Sequence, residues 1–215
     1  MTKQTPGRSH LLTATQRSIV ASLADSDPSI VPKRVSYLPA DAYTSPEHFA
    51  QEQRKLFRGR PVPIEVSAAL PKPKMHVVNE DYGISVLLTR DGDGKVHAFL
   101  NVCTHRCIRL SQEKEATSGG LIVCPYHAWT FNLKGELVGV PREDVFPGLD
   151  RSKHSLVPLE CVEAGGIIWV NLDHTSKADF SVVKGDLAAE FEAIGLPEQV
   201  VYRKLRFELA ANWKL

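Results

Sequence analysis

The chain has 215 residues, 43% of them hydrophobic, and its 26 basic and 25 acidic side chains leave a formal net charge of +1. This near-neutral balance argues against nucleic acid as the main partner. No apolar run is long enough to predict a membrane span or a secretory signal, and four cysteines leave little for a disulfide framework, so we expect a cytoplasmic protein.

The N-terminal part of the chain is predicted to carry little core structure. Residues 1–37 are rich in Ser, Thr, Ala and Pro and are expected to form an extension with a marginal helix from Leu11 to Leu23. In the next segment, 38–60, the string Ser45-Pro46-Glu47 offers a cap, a first-turn proline and an acid near the positive helix end. These features predict a helix to about Phe57. Helical spacing predicts one inward packing face, formed by Phe49, Gln53, Leu56 and Phe57.

Short β-rich runs separated by turn residues dominate the middle of the chain. We predict strands at 62–66, 75–79, 84–90, 96–101, 121–124, 128–131, 136–140, 156–162 and 167–171. The tetrad from Asp91 to Gly94 predicts a hairpin turn, and further turns are expected at 132–135 and 165–166. Many short antiparallel strands without alternating helices predict a mainly β sandwich or barrel. A helix from Asp186 to Leu196 and a strand from Val200 to Ala210 are predicted within 176–215.

Two short boxes carry the chemistry of this sequence. They read Cys103-Thr104-His105-Arg106 and Cys124-Pro125-Tyr126-His127-Ala128-Trp129. Two thiolates and two imidazoles can hold one tetrahedral zinc ion, or they can be divided between the irons of a [2Fe–2S] cluster. Zinc sites of this composition usually pair the cysteines on one loop and the histidines on another, whereas here each box supplies one of each. This pattern favours the cluster, with zinc in an interaction module as the alternative.

The boxes and their flanks resemble a known family. The pattern C-x-H, eighteen intervening residues and C-x-x-H resembles that of Rieske proteins. The strings CPYHAWTFNLKGELVGVP, FPGLD, GGIIWVNLD and ANWKL closely resemble the large, α-type subunit of Rieske non-haem iron oxygenases, the ring-hydroxylating oxygenases. The resemblance implies a Rieske-type antiparallel β-sandwich over 61–175, with a two-loop cluster-binding subdomain and short flanking helices. It also implies which residues bind the buried iron, Cys103 and Cys124, and the outer iron, His105 and His127.

The same resemblance implies a role in electron transfer. The domain is expected to take single electrons from a ferredoxin or flavin reductase and to pass them to a mononuclear Fe(II), which activates O2 for hydroxylation or demethylation. That iron is expected in a downstream catalytic domain outside these 215 residues, so no catalytic residue is predicted here. The full-length subunit is expected to form a homotrimer. A stand-alone Rieske ferredoxin, acting only as an electron carrier, is the alternative.

Two further cysteines are not predicted as ligands. Cys107 occupies the position where the oxygenase branch usually has glycine, which raises the question of whether the backbone there adopts a positive φ. Cys161 lies in an apolar run and is predicted to be a buried small hydrophobic residue.

Trp129 suggests a reduction potential at the low end of the Rieske range. It stands two residues beyond the second histidine, where respiratory Rieske proteins, by resemblance, have a hydroxyl side chain. Because that hydrogen-bond donor is absent, we expect a potential of about −150 mV. A redox titration measures this value, and a strongly positive potential would refute the expectation.

Overall fold

The computed structural model describes residues 14–24, 35 and 37–215 of the chain. Within these ranges the strands are β1 (Val62–Val66), β2 (Met75–Asn79), β3 (Val86–Arg90), β4 (Val96–Leu100), β5 (Thr117–Ser118), β6 (Leu121–Val123), β7 (Thr130–Asn132), β8 (Leu137–Gly139), β9 (Pro158–Leu159), β10 (Cys161–Ala164) and β11 (Ile167–Val170). The α-helices are α1 (Ala14–Ala24), α2 (Asp41–Thr44), α3 (Pro46–Glu52), α4 (Ser181–Lys184) and α5 (Asp186–Ala193). A π-helical turn (Gln53–Phe57) continues α3, and 3-10 turns lie at Ser67–Ala69, Glu143–Val145, Arg151–His154 and Leu196–Glu198.

The strands form three antiparallel sheets. A central five-stranded sheet has the order β5-β2-β3-β4-β9, and the two smaller sheets have the orders β1-β11-β10 and β6-β7-β8. Each pairing is antiparallel, so the predicted mainly β, antiparallel fold is confirmed. None of the described helices combines the length and apolar character needed to cross a bilayer.

The central sheet is covered on both faces, because successive residues of its strands enter different cores. Val77 and Leu88 belong to the first core, whereas Val78 and Leu87 belong to the second. The first core lies against the β1-β11-β10 sheet and includes Val62, Ile64, Val86, Ala98, Ile168 and Val170. The second core lies against the β6-β7-β8 sheet and includes Phe99, Cys103, Ile122, Cys124, Trp129, Phe131 and Leu137. Both boxes are therefore anchored in the second core.

The capped helix is present, but its predicted packing face is wrong. The Ser45 hydroxyl accepts a hydrogen bond from the His48 N–H at 3.2 Å, as a helix cap does. Phe49 and Leu56 are exposed by 45% and 41%, and of the three hydrophobic residues predicted for this face only Phe57 packs inward. The π-helical turn accounts for Leu56, since its wider i to i+5 spacing rotates the residues after Gln53 away from their α-helical positions, whereas Phe49 lies before this turn.

Two predicted β segments also differ from the structure. The predicted strand 156–162 is two strands, because the chain leaves the central sheet after β9 and joins the β1-β11-β10 sheet at β10. Residues 200–210 pair with no strand among the described residues. Lys204 and Arg206 instead form ion pairs with Glu65 and Asp81, so the segment is held by side chains.

The end of the chain closes on the N-terminal helices. The Asn212 side chain donates a hydrogen bond to the Tyr43 carbonyl at 2.9 Å. The Trp213 indole N–H and the Lys214 ammonium both donate to the Glu52 carboxylate, at 2.8 and 2.6 Å. These contacts fix the C-terminal string against α2 and α3.

The predicted helices at the two ends are largely confirmed. α5 covers most of the predicted range, and Gly195 after it has a left-handed φ of 74°. Helix α1 covers the predicted marginal helix from residue 14 onward and ends one residue later, while residues 11–13 lie outside the described residues. Ile19 and Val20 of α1 are about half exposed. The domain boundaries stay predictions.

The predicted turns are confirmed at both hairpins that approach the second core. The Asp91 carboxylate accepts the N–H groups of Asp93 and Lys95, each at 2.9 Å, which closes the β3–β4 turn. At the β7–β8 turn, Gly135 has a φ of +83° and faces the ring of Phe99. Glycine is required here for two reasons, the left-handed backbone conformation and the close approach of the turn to Phe99.

Replacing Gly135 with alanine is expected to lower the free energy of unfolding by about 3 kcal/mol, because the left-handed conformation and the overlap with Phe99 both oppose a Cβ. Gly94→Ala is the matched control. Gly94 has the same φ of +83° but nothing within 4 Å of an added Cβ, so it should lose only about 1 kcal/mol. Urea unfolding followed by circular dichroism measures both values. Equal losses would show that the contact with Phe99 contributes nothing.

Candidate metal centre

The first box forms a tight loop after β4. The Cys103 N–H donates a hydrogen bond to the Ile108 carbonyl at 2.8 Å, and the Cys107 N–H donates to the Cys103 carbonyl at 2.8 Å. Cys107 has a φ of +53°, in the left-handed region. A positive φ is therefore present where the family pattern usually has glycine. The loop turns the chain so that residues 103 and 105 lie on its inner side.

The second box forms an equivalent loop at the β6–β7 connection. The Cys124 N–H donates to the Trp129 carbonyl at 2.8 Å, and the Ala128 N–H donates to the Cys124 carbonyl at 3.0 Å. Ala128 has a φ of +55°, at the same position relative to its cysteine as Cys107. The two loops thus have the same backbone hydrogen bonds and the same left-handed residue. This shared geometry presents one cysteine from each loop in the same way.

The two cysteines meet at the bottom of the site. Both are buried, and the Cys103 side chain is within hydrogen-bonding reach of the Cys124 side chain. The pKa of Cys103 is raised to about 11, chiefly by burial and also by the neighbouring Cys124, although the backbone N–H groups of His105 and Arg106 act in the opposite direction. A thiolate at this position therefore requires a compensating positive charge, which a bound metal supplies.

The two histidines meet above the cysteines, nearer to the surface. The ring centroids of His105 and His127 are 4.8 Å apart, and the rings are inclined by 64°. Burial lowers the pKa of His105, and the neighbouring His127 and Arg106 lower it further, so the neutral imidazole is favoured. The Nδ1 atom of His127 is buried and has no hydrogen-bond partner. An unpaired ring nitrogen in this position is a ready metal ligand.

Aromatic side chains surround the histidine pair, a feature that the sequence did not predict. The Trp129 ring lies parallel to the His105 ring, with centroids 4.6 Å apart and an angle of 7°. Phe146 is nearly perpendicular to both rings, and its ring centroid is 5.8 Å from that of His105 and 5.9 Å from that of Trp129. The ring centroids of Tyr126 and His127 are 3.8 Å apart. No sequence signal links residue 146 to the boxes, because the contact depends on how distant segments fold together.

The remaining cysteine, Cys161, lies away from the boxes. It is part of β10 and packs against the first core, with its sulfur 3.6 Å from the Val96 carbonyl oxygen. Burial raises its pKa to about 11. It packs as a small hydrophobic residue, but it is half-buried and not buried as predicted.

The structure brings the sequence-predicted site residues together in two pairs, Cys103 with Cys124 and His105 with His127. Among the described residues, no three His, Cys, Asp or Glu side chains converge as ligands of one metal ion. One pair of thiols and one pair of imidazoles suit a cofactor with two irons, in which each iron binds one pair. The donor set therefore fits a [2Fe–2S] cluster with two cysteine and two histidine ligands.

Comparison with known proteins gives a family match over this region. The family model described as the Rieske [2Fe-2S] domain matches residues 60–158, a range that contains both boxes.

Related sequences include oxygenases. The chloroplastic choline monooxygenase of Spinacia oleracea is 28% identical over 214 residues, which make up 98% of this chain and 48% of the relative. The glycine betaine monooxygenase oxygenase subunit of Chromohalobacter salexigens is 31% identical over 180 residues, which make up 83% of this chain and 39% of the relative. The chain thus spans about half the length of the known relatives it matches.

Similar structures include both monooxygenases and a dioxygenase. A quaternary ammonium Rieske monooxygenase bound to gamma-butyrobetaine has a TM-score of 0.70 and 27% identity, over 82% of this chain and 51% of that chain. A naphthalene 1,2-dioxygenase bound to indole has a TM-score of 0.55 and 30% identity, over 61% of this chain and 30% of that chain.

Proposed function

Because residues 60–158 belong to the Rieske [2Fe–2S] domain family, we propose that this chain relays single electrons within an oxygenase α subunit, using Cys103, His105, Cys124 and His127 as cluster ligands. The family match confirms the resemblance predicted from the boxes and the [2Fe–2S] cofactor it implies. The pairing of thiol with thiol and imidazole with imidazole is the observation that carries the ligand assignment. When bound, the cluster supplies reversible one-electron transfer.

The protein's own residues divide the site into a closed side and an open side. Cys103 and Cys124 lie in the second core, where water is excluded. His105 and His127 lie nearer to the surface and are half-buried. In this proposal the thiolates anchor the cofactor and balance its charge, whereas the imidazoles offer the shorter path to a partner. One electron enters from a ferredoxin or flavin reductase, and one electron leaves toward the acceptor.

The acceptor in this proposal is a mononuclear non-haem iron in a catalytic domain of the longer protein. The relatives are about twice as long as this chain and are named as oxygenases or their subunits. A related structure is described as giving insights into inter-subunit electron transfer, over 75% of this chain with a TM-score of 0.60. We extend this to a homotrimer in which one subunit serves the iron of its neighbour. The cytoplasmic location stays a prediction.

The substrate class we favour is a quaternary ammonium compound. The relatives named above act on choline and glycine betaine by name, and an Escherichia coli relative with 29% identity over 184 residues is a carnitine monooxygenase oxygenase subunit. The similarity to the quaternary ammonium enzyme also extends over more of this chain than the similarity to the naphthalene enzyme. The whole protein would then insert one oxygen atom from O2 into the substrate and release the other as water, which consumes two protons and two electrons. The electrons would arrive through the relay one at a time.

Cluster binding is tested by replacing one thiol in the site and one outside it. The parent chain is expected to hold about two iron atoms and two acid-labile sulfides. Cys103→Ala should lose most of both, because a cluster iron loses a ligand. Cys161→Ala is the matched control, since Cys161 packs in the first core and should leave both contents unchanged. Metal analysis, sulfide assay and electron paramagnetic resonance of the reduced protein measure the outcome.

Two results would contradict this assignment. One is a colourless parent chain that holds one equivalent of zinc and no sulfide. The other is a Cys103→Ala chain that keeps the parent content of iron and sulfide. Either result would remove the basis for electron relay.

The substrate class is tested separately, with the full-length protein and a reductase. We expect substrate-dependent O2 consumption with choline, glycine betaine or carnitine, and an oxidised product detectable by mass spectrometry. Naphthalene is the comparison substrate and should give no product. Product from naphthalene alone would overturn the substrate proposal while leaving the electron-relay proposal intact.

A further inference from the structure

The two histidines of the site have unequal surroundings. His105 is stacked on Trp129, with 4.6 Å between centroids and 7° between planes, and it meets the edge of Phe146. His127 instead contacts Tyr126, whose side chain is 55% exposed. Both histidines are half-buried, but His105 is held between two aromatic rings, whereas His127 contacts an exposed one.

Trp129 is itself tightly held. It is 2% exposed, and the edges of Phe146 and His154 meet it at 5.9 and 5.7 Å. The His154 carbonyl accepts a hydrogen bond from the Thr104 hydroxyl at 2.6 Å. Thr104 directly precedes His105, so the two loops are joined by two routes. One route is the stacked ring pair, and the other passes from Thr104 through His154 to Trp129.

We propose that Trp129 is a positioning residue for His105, fixing the plane of its imidazole and excluding water from the histidine side of the site. The proposal rests on the ligand role of His105 proposed above. A parallel ring at contact distance allows the imidazole to slide but opposes its rotation out of plane. Metal ligands need such orientation, because the ring nitrogen must point at the metal.

The water-excluding role has a predictable effect on the reduction potential. With two thiolates and two neutral imidazoles, the oxidised [2Fe–2S] site is neutral overall and the reduced site carries one negative charge. Apolar cover disfavours the charged form, because water would solvate it. The indole of Trp129 therefore lowers the potential, and its loss should raise it.

The test compares variants of the full chain at two buried tryptophans. Trp129→Leu removes the ring that faces His105 and is expected to shift the potential to a more positive value and alter the g values of the reduced site. It should also speed iron loss to a chelator by about two- to tenfold, the range for one aromatic pair. Trp129→Phe keeps a ring at this position and should stay closer to the parent in all three measurements.

Trp169→Leu is the matched control. Trp169 lies in β11 and is 7% exposed, and its indole N–H donates to the Ala164 carbonyl. Its replacement therefore removes packing contacts of the β1-β11-β10 sheet and leaves both boxes unchanged. It should lower thermal stability while leaving the g values and the potential at parent values. This separates a positioning role from a packing role.

The inference is overturned if Trp129→Leu, or Trp129→Phe should the leucine variant fail to fold, behaves like Trp169→Leu and only loses thermal stability. It is also overturned if the potential moves to a more negative value. Both outcomes require a parent chain with a [2Fe–2S] signal. A parent chain without that signal would instead contradict the proposed function itself.

Discussion

The rest of this structure depends on one constraint at the site. Two thiols lie side by side away from water, and two imidazoles lie against each other nearer to the surface. Burial and the neighbouring Cys124 raise the pKa of Cys103, and burial and the neighbouring His127 lower the pKa of His105. The charged forms of Cys103 and His105 are therefore disfavoured, so no attraction between charges holds the pairs together. The backbone imposes the arrangement with two loops that have the same hydrogen bonds.

The loops depend in turn on the layers beneath them. Cys103 and Cys124 are part of the second core, together with residues from both the central sheet and the β6-β7-β8 sheet. The Thr89 hydroxyl donates to the Leu133 carbonyl at 2.7 Å, which joins the central sheet to the β7–β8 turn. Gly135 lets that turn approach Phe99 closely. The position of the second loop thus follows from contacts made well below it.

Sequence reasoning predicted the local features and missed those that depend on distant contacts. The β-rich runs 62–66 and 75–79, bounded by turn residues, were sufficient for both strands, and the boxes were sufficient to place the loops. The predicted strand at 200–210 is wrong because alternation does not supply a partner strand. The predicted position of Leu56 on the helix after Ser45 is wrong because the π-helical turn changes the helical spacing. The stacking of Trp129 on His105 depends on the relative positions of two loops, which no local pattern encodes.

The double coverage of the central sheet has a consequence for how its strands find their neighbours. In a sheet with one solvent-exposed face, shifting a strand by one residue exposes its apolar side chains to water. The free-energy cost of this exposure selects the correct register. Here such a slip in β3 would only exchange Leu87 for Leu88 between two apolar layers. Alignment must be specified by polar anchors, and the buried Thr89, the Asn79 amide bound to the Ile64 carbonyl and the Asp91 turn serve this purpose. A few polar residues thus encode the pairing that hydrophobicity leaves undetermined.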